Sequence, residues 1–522
     1  MHTSRKWFSL LIPLVLMLAC GAPTAVVPPA VAPTAVPATA AATFGVQAVT
    51  IASATPAPVQ GLSASGPYFA YLRLAGSGEE LVVMDDGGPG KKIISLPAAV
   101  VDPDAQNGLQ TQQISPDGKW LSFYTGSAGS CDDPASVPGT NDLRINLVDL
   151  STGAVDKIAD LLPANYPQNF AANAQALTAS GADTQGLDAA SLASALTGAF
   201  LCGIHASAWS PNGRYLAFAG AMDGPSSDTY LADLQTQKIT RLSSGPEEVQ
   251  WLQWSPDGQW ILQGGTWAVG EGMSYDIYAS SVDGVTVKML SNSTSGIAAW
   301  LNATTYLEYD SANGPGAHDL RSVDVRSGSV QTLWKASFAA YALDQADGLL
   351  AVSGIPDPAT WTGSLYLIKT ASGAQQKIQD GVWNVQTLGK GGDAFLVEDT
   401  DSKAVALLTA GGKLVPTQAA YGTALPLDKQ FLVPVSGNQL GVYSVAGDPQ
   451  GTLDLPVPAD AALDDFKWYG GGSGFLLGLY TGDPTAVSGY WLVALDAQAG
   501  TAALVDQGTT RPGALQMIQT AP

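Results

Sequence analysis

The sequence predicts an all-β chain, a single β-propeller of about seven to nine four-stranded blades carrying a small helical insertion. Three observations predict it. A tight-turn motif recurs with a spacing near 45 residues, and short alternating apolar runs follow the same period. Charged residues make up only 13% of the chain, too few for long solvated helices. A length of 522 residues alone suggests about three domains, but repeat folds run longer as one unit. Gly (58) and Pro (33) are abundant, as a chain of many turns requires, and a hydrophobic share of 46% suffices for a large core.

The turn motif is clearest at Ile114-Ser115-Pro116-Asp117-Gly118, Trp209-Ser210-Pro211-Asn212-Gly213 and Trp254-Ser255-Pro256-Asp257-Gly258. In each copy Pro presets φ, Asp or Asn hydrogen-bonds within the turn, and Gly accepts positive φ, so these residues are assigned a structural role. A bulky residue and an alternating run follow. Weaker copies of that run lie at 69–74, 306–309, 349–352, 395–398, 431–435 and 475–480. Partner strands follow, as at 81–85, 145–150, 320–325 and 491–496, several ending in an acid and a small turn such as Val148-Asp-Leu-Ser-Thr-Gly153. Nine units are counted between about 60 and 510, with eight blades the expected number because a terminal unit can be partial. Residues 46–51 read as a strand that either closes the ring by completing the last blade or belongs to the segment ahead of it.

On the W-S-P-D-G residues the chain resembles the WD-like repeats of TolB-like periplasmic propellers, and related repeats occur in the propellers of prolyl oligopeptidases. The strong copies cover roughly 110–295. The resemblance implies a propeller over 59–511 and says almost nothing about chemistry, because propellers host many functions. Repeat units reaching about 510 are expected to leave no room for a peptidase domain.

The N-terminus reads as an export signal. Arg5 and Lys6 precede thirteen mostly apolar residues at 7–19, a length that suits a signal segment and falls short of the roughly 20 residues of a spanning helix. The run ends Leu16-Met17-Leu18-Ala19-Cys20-Gly21, which resembles a bacterial lipobox; the resemblance implies cleavage after 19 and acylation of Cys20. Residues 20–58 read as a tether. Pro23, Pro28, Pro29, Pro33 and Pro37 keep 22–43 extended, with a reach of about 70 Å. Two acyl chains give stable anchoring where one is marginal. The chain is therefore expected to be exported and lipid-anchored to the cell membrane or an outer membrane, with its domain on the extracytoplasmic side. Residues 512–522 read as a C-terminal tail.

Chemistry is sparse. The three histidines are His2, His205 and His318, and there is no HExxH, G-x-S-x-G, phosphate loop or complete EF-hand. No catalytic residue and no cofactor is assigned. Calcium has two candidate acidic stretches, Asp102-Pro-Asp-Ala-Gln-Asn-Gly108 and Glu398-Asp399-Thr400-Asp401, both read first as solvated turns. A net charge of −22, from 23 basic and 45 acidic residues, repels phosphate backbones and argues against nucleic acid as a partner. Cys131 and Cys202 bracket residues 161–204 and are candidates for a disulfide in an oxidising compartment, with two buried thiols as the alternative. Within that insertion Leu192, Leu196 and Phe200 predict a short helix capped by Asp188, which either packs passively, covers the channel mouth or presents a docking surface. Trp209, Trp254 and Trp300 recur at repeat positions and are expected in the core rather than on a sugar platform.

These readings favour a non-enzymatic, lipid-anchored scaffold at the cell envelope, monomeric and bound to an envelope protein that the sequence does not identify. The alternative is a propeller enzyme, or a glycan- or calcium-binding protein, that uses channel carboxylates.

Overall fold

The computed structural model describes residues 68–518, interrupted chiefly at 97–112, 126–143, 180–186, 194–205 and 418–424 and at shorter loop stretches. Every described strand pair is antiparallel. The described strands form eight sheets, seven with four strands and one with seven. In the seven-stranded sheet the 15-residue strand Val330–Asp344 serves two units. Its first half pairs with Ala317–Asp324 and its second half with Leu349–Asp357. Counted as sheets there are eight; counted as four-strand units there are nine, here numbered 1 to 9 from the sheet that holds Tyr68–Ala75. The nine repeat runs read from the sequence all fall within these units.

The arrangement is a β-propeller closed by its own C-terminal strand. Leu515–Ile518 pairs with Tyr68–Ala75 through Tyr68 opposite Ile518 and Tyr71 opposite Leu515, which supplies the inner strand of unit 1. That strand also lies beside the inner strands of unit 9 (Ala462–Tyr469) and unit 2 (Gln113–Ile114). One expectation is corrected here. The stretch 512–522 is not simply a tail, since 515–518 is a strand of the first sheet. Unit 9 holds four strands of its own between Ala462 and Gly508. Residues 46–51 themselves lie outside the described residues.

Among the described residues the core is divided between the units rather than gathered at one centre. Each neighbouring pair of units from 2 to 9 shares its own apolar cluster. Between units 3 and 4 it comprises Ala217, Leu231, Leu242, Trp254 and Ile261. Between units 8 and 9 it includes Leu432, Leu440, Leu477 and Val493. In units 2 to 9 the second strand carries consecutive buried residues, as in Leu216 to Ala219, where all four residues are 0% exposed. Burial of each large side chain contributes about 1.5–3 kcal/mol, so stability is spread around the ring.

The three motif turns are near-identical hydrogen-bonded devices. The hydroxyls of Ser115, Ser210 and Ser255 donate to Asp117, Asn212 and Asp257 Oδ1 at 2.6, 2.8 and 2.6 Å. The same hydroxyls accept the N–H of Trp120, Tyr215 and Trp260 at 3.0, 2.9 and 3.0 Å. Each Asp or Asn also accepts the N–H two residues on. Gly118, Gly213 and Gly258 sit at φ +69, +68 and +66, where L side chains are strained. Pro116, Pro211 and Pro256 occupy the exposed corners. Adjacent turns touch, for a Cβ on Gly213 would stand 2.7 Å from Asp117 Cγ. Ser210→Ala removes a fully buried hydroxyl and leaves the Tyr215 N–H without its acceptor. A loss of about 1–3 kcal/mol is expected, read as a lowered urea midpoint at unchanged slope.

Tryptophans preceding the turns join neighbouring units. The Trp209 indole donates to the Gln113 carbonyl at 3.0 Å and the Trp254 indole to the Ala208 carbonyl at 2.8 Å. Trp209, Trp254 and Trp300 are 8%, 8% and 4% exposed, which places them in the core as expected.

Candidate docking face around the helical insertion

The antiparallel zigzag sorts the connections onto two faces. In unit 2 the turn at 115–119 and the turn at 150–154 lie at the same strand ends, since Trp120 pairs with Asp149 and the Leu150 N–H donates to the Lys119 carbonyl at 2.9 Å. All three motif turns belong to this face. Val155–Asp160 runs away from it, so the insertion between Asp160 and Ser207 leaves from the opposite face.

Both roots of the insertion are fixed to units 2 and 3. At its start, Asp160 closes an exposed ion triplet, 2.9 Å from Arg144 Nε and 2.7 Å from Lys157 Nζ. Burial works against the Asp160 charge, but Lys157 and Arg144 hold its carboxyl below the usual range. The next residue, Leu161, offers its carbonyl to the Ala221 N–H at 2.9 Å and packs against Gly220. At the far end the buried Tyr124 hydroxyl donates to the Ala206 carbonyl at 3.3 Å, and burial pushes that phenol well above its ordinary pKa. Gln113 Nε2 donates to the Ser207 carbonyl at 3.0 Å.

Between these roots lies the helix Tyr166–Ala179. The sequence reading missed it because its Ala, Asn and Gln residues show no apolar period; Pro167 in the first turn was the available signal. Asn173 and Ala174 face inward at 7% and 0% exposure. The opposite side shows Gln168, Ala172, Gln175, Ala176 and Ala179 to solvent, spaced so that they form one stripe. A second helical turn follows at 189–193, and here Asp188 caps as expected. Its Oδ1 accepts the Ser191 N–H at 2.8 Å and its carbonyl the Leu192 N–H at 2.9 Å; the hydrogen bonds from Ser191 lower the Asp188 pKa. Leu192 is buried in the cluster that also holds Leu161, Leu162, Ala174, Phe218 and Tyr230. Leu196 and Phe200 lie outside the described residues.

The insertion differs from the rest of the chain in charge. Only Asp183 and Asp188 are ionised within 161–204, in a protein of net charge −22. Below it sits a buried pair that the sequence reading did not find. Asp228, 0% exposed, accepts from Arg241 Nη2 and, at 3.0 Å, from the Ser243 hydroxyl. Arg241 Nε donates to the Ser243 carbonyl at 2.8 Å. Asp228 faces Gly220 across the sheet, next to the point where Leu161 docks. Unit 5 holds a comparable pair. Arg321 Nε lies 3.0 Å from Glu308 Oε1, and the Tyr306 hydroxyl donates to Glu308 Oε2 at 3.2 Å. Burial first, and then the Glu308 charge, push the Tyr306 phenol up. Both pairs link neighbouring strands of one sheet, a cross-strand signal that alternation alone does not reveal.

Other sequence candidates resolve as follows. Cys20, Cys131, Cys202 and residues 102–108 lie outside the described residues. In the 398–401 stretch the carboxylates serve the local fold. Asp399 Oδ1 accepts the N–H groups of Asp401 and Ser402 at 2.9 and 3.1 Å, and Glu398 Oε2 accepts from Asn384 at 2.7 Å. Among the described residues no group of three His, Cys, Asp or Glu side chains is placed to hold a metal ion. Among them, too, no helix is long and apolar enough to cross a membrane.

No protein-family model matches the chain. The uncharacterized peptidase YuxL of Bacillus subtilis (strain 168) is 38% identical over 68 residues, which are 13% of this chain and 10% of that protein. The chain therefore spans about a tenth of that curated relative. Among solved structures, TolB from Acinetobacter baumannii is similar at 13% identity over 67% of this chain and 80% of its own, with a TM-score of 0.27. The β-propeller domain of the Trilobed protease from Pyrococcus furiosus is similar at 15% identity over 67% and 97%, with a TM-score of 0.32. Dihydro-heme d1 dehydrogenase NirN in complex with DHE covers 90% of this chain and 78% of its own at 12% identity and a TM-score of 0.44. The propeller assignment rests on the strand pairing and ring closure described above.

Proposed function

We propose that the protein is a lipid-anchored, extracytoplasmic β-propeller that works as a non-enzymatic interaction module at the cell envelope, and that its partner protein docks on the insertion face. One observation carries this reading: an uncharged helical stripe, set on a rigid pair of sheets, in an otherwise strongly acidic protein. Charged residues are depleted at the centres of protein interfaces, and a rigid platform limits the entropy lost on binding. The signal-like N-terminus and the lipobox-like Cys20 support the location. A Cys131–Cys202 disulfide belongs to the same reading. It is supported by the Tyr124–Ala206 hydrogen bond, which brings the root of the loop bearing Cys131 against the root of the segment bearing Cys202.

The test is crosslinking of the tagged, full-length protein in its native membrane, followed by mass spectrometry, with Ala172→Arg and Ala176→Arg as variants. Both positions are exposed, so stability should hold. A specific partner is expected, with recovery reduced about tenfold or more by either arginine, since a charge buried at an interface without a counter-charge costs several kcal/mol. Recovery unaffected by both variants, or no partner beyond that of an unrelated tethered domain, refutes the proposal.

A further inference from the structure

The joint between units 3 and 4 departs from the joint before it. Between units 2 and 3, Phe218 lies in one cluster with Tyr124 of unit 2 and with Ile145, which stands opposite Tyr124 in the register. The repeat gives each of these residues a counterpart at the next joint. Gln263 follows its motif serine at the same interval as Phe218, and Ala219 follows its own at the same interval as Tyr124. Thr229 stands opposite Ala219. A phenyl ring, a phenol and a branched alkyl chain thus give way to an amide, a methyl group and a hydroxyl. Strand alternation places the two polar side chains in the same joint. Ile261, two residues before Gln263, and Leu231, two residues after Thr229, both belong to the cluster that units 3 and 4 share.

Thr229 is 0% exposed and Gln263 2%. Among the described residues, Thr229 Oγ1 and Gln263 Oε1 have no hydrogen-bond partner. Buried polar atoms are as a rule bonded to protein or to ordered water, so two such oxygens facing one joint require a third group between them. Val249 and Leu252 pack against Ala219 and refill part of the space, but their side chains bring no polar atom. The side-chain volume given up relative to the joint between units 2 and 3 exceeds the ~30 Å³ share of one water molecule.

We propose that an ordered water molecule is built into the joint between units 3 and 4, donating to Gln263 Oε1 and hydrogen-bonded to Thr229 Oγ1. The chemistry of the two groups suits it, because an amide oxygen accepts and a hydroxyl can donate or accept. An apolar gap stays dry, whereas a gap lined by two or more polar atoms retains water. The site adjoins both roots of the insertion. Ala206, at its far root, packs in one cluster with Ala219, and Leu161, at its start, packs against Gly220, the next residue along the strand. On the unit 2 side of unit 3 the fit is made by rings, with Phe218 and Tyr230 stacked at 5.8 Å. On the unit 4 side a water bridge takes their place, holding the two sheets by direction of hydrogen bonds rather than by interlocked shape.

A crystal structure of the full-length protein, at a resolution that shows ordered water, tests this. One density peak is expected about 2.7–3.2 Å from both Thr229 Oγ1 and Gln263 Oε1. No peak there, or the two side chains bonded to each other or to another protein group, overturns the proposal. Oxygen-17 relaxation dispersion counts long-lived internal waters in solution. Thr229→Val/Gln263→Leu removes both polar partners and is expected to lower that count by about one. A folded double variant with an unchanged count also overturns the proposal, and the density of the parent decides the matter if that variant does not fold.

Discussion

Arg241→Ala is expected to lower folding stability by about 3–5 kcal/mol, because it strands a carboxylate that water cannot reach. Asp228 is 0% exposed and the Arg241 side chain 10%, so solvent does little to screen the loss. The guanidinium also fixes the Ser243 carbonyl, and Ser243 in turn donates to Asp228 and accepts the Thr229 N–H at 2.9 Å. The change therefore loosens the outer hairpin of unit 3 as well as the charge. Chemical denaturation gives the magnitude. The double variant Asp228→Leu/Arg241→Met separates the causes: removal of both charges should restore most of the loss, since the penalty lies in the unpaired charge rather than in the missing bond. Equal destabilisation by the single and double variants would show that geometry, not charge burial, dominates.

Gly354→Ala should cost about 2–4 kcal/mol through a purely steric effect. A Cβ there would stand 2.1 Å from Trp334 Cζ2, inside the indole ring. Trp334 cannot yield easily. Its ring packs at 4.6 Å from the Tyr366 ring, its N–H donates to the Ser337 carbonyl at 3.3 Å, and it is 6% exposed. It also sits where Val330–Asp344 passes from unit 5 to unit 6, so its displacement strains the one strand that two units share. Trp334→Leu in the Gly354→Ala background is expected to be less harmful than the sum of the two single changes, a coupling that a double-mutant cycle in urea reads directly.

Much of this architecture was legible in the residues. Runs such as 431–435 and 475–480 fall inside the strands Gln430–Ser436 and Gly474–Asp483 because a strand buried on both faces needs consecutive apolar residues between turn signals. The Ser-Pro-Asp/Asn-Gly turns were legible because every residue in them has one backbone-specific task. The shared strand was less so, though its signal was present: between Gly328 and Gly348 no glycine or proline breaks the run. The helix Tyr166–Ala179 escaped because an amphipathic pattern requires apolar residues on its inner face, and here that face is Asn173 and Ala174, residues common to helices and loops alike. The buried pairs escaped for a related reason. Asp228 and Arg241, like Glu308 and Arg321, occupy positions where exposure is the rule for charged residues, and only the cross-strand register reveals that each acid has a base within reach.

The pairing of Leu515–Ile518 with Tyr68–Ala75 also fixes an order of events during synthesis. Units 2 to 8 can assemble as their residues emerge, but the first sheet waits for almost the last residues of the described chain. Until then Tyr68–Ala75 keeps a free edge, the kind of unpaired strand that invites mispairing with other chains. A chain cut between Gly508 and Leu515 would keep the other sheets but leave the ring with an open seam at that edge. The delay that closure imposes, set by contact between segments far apart in sequence, makes the unclosed ring the species that chaperones and proteases would meet first.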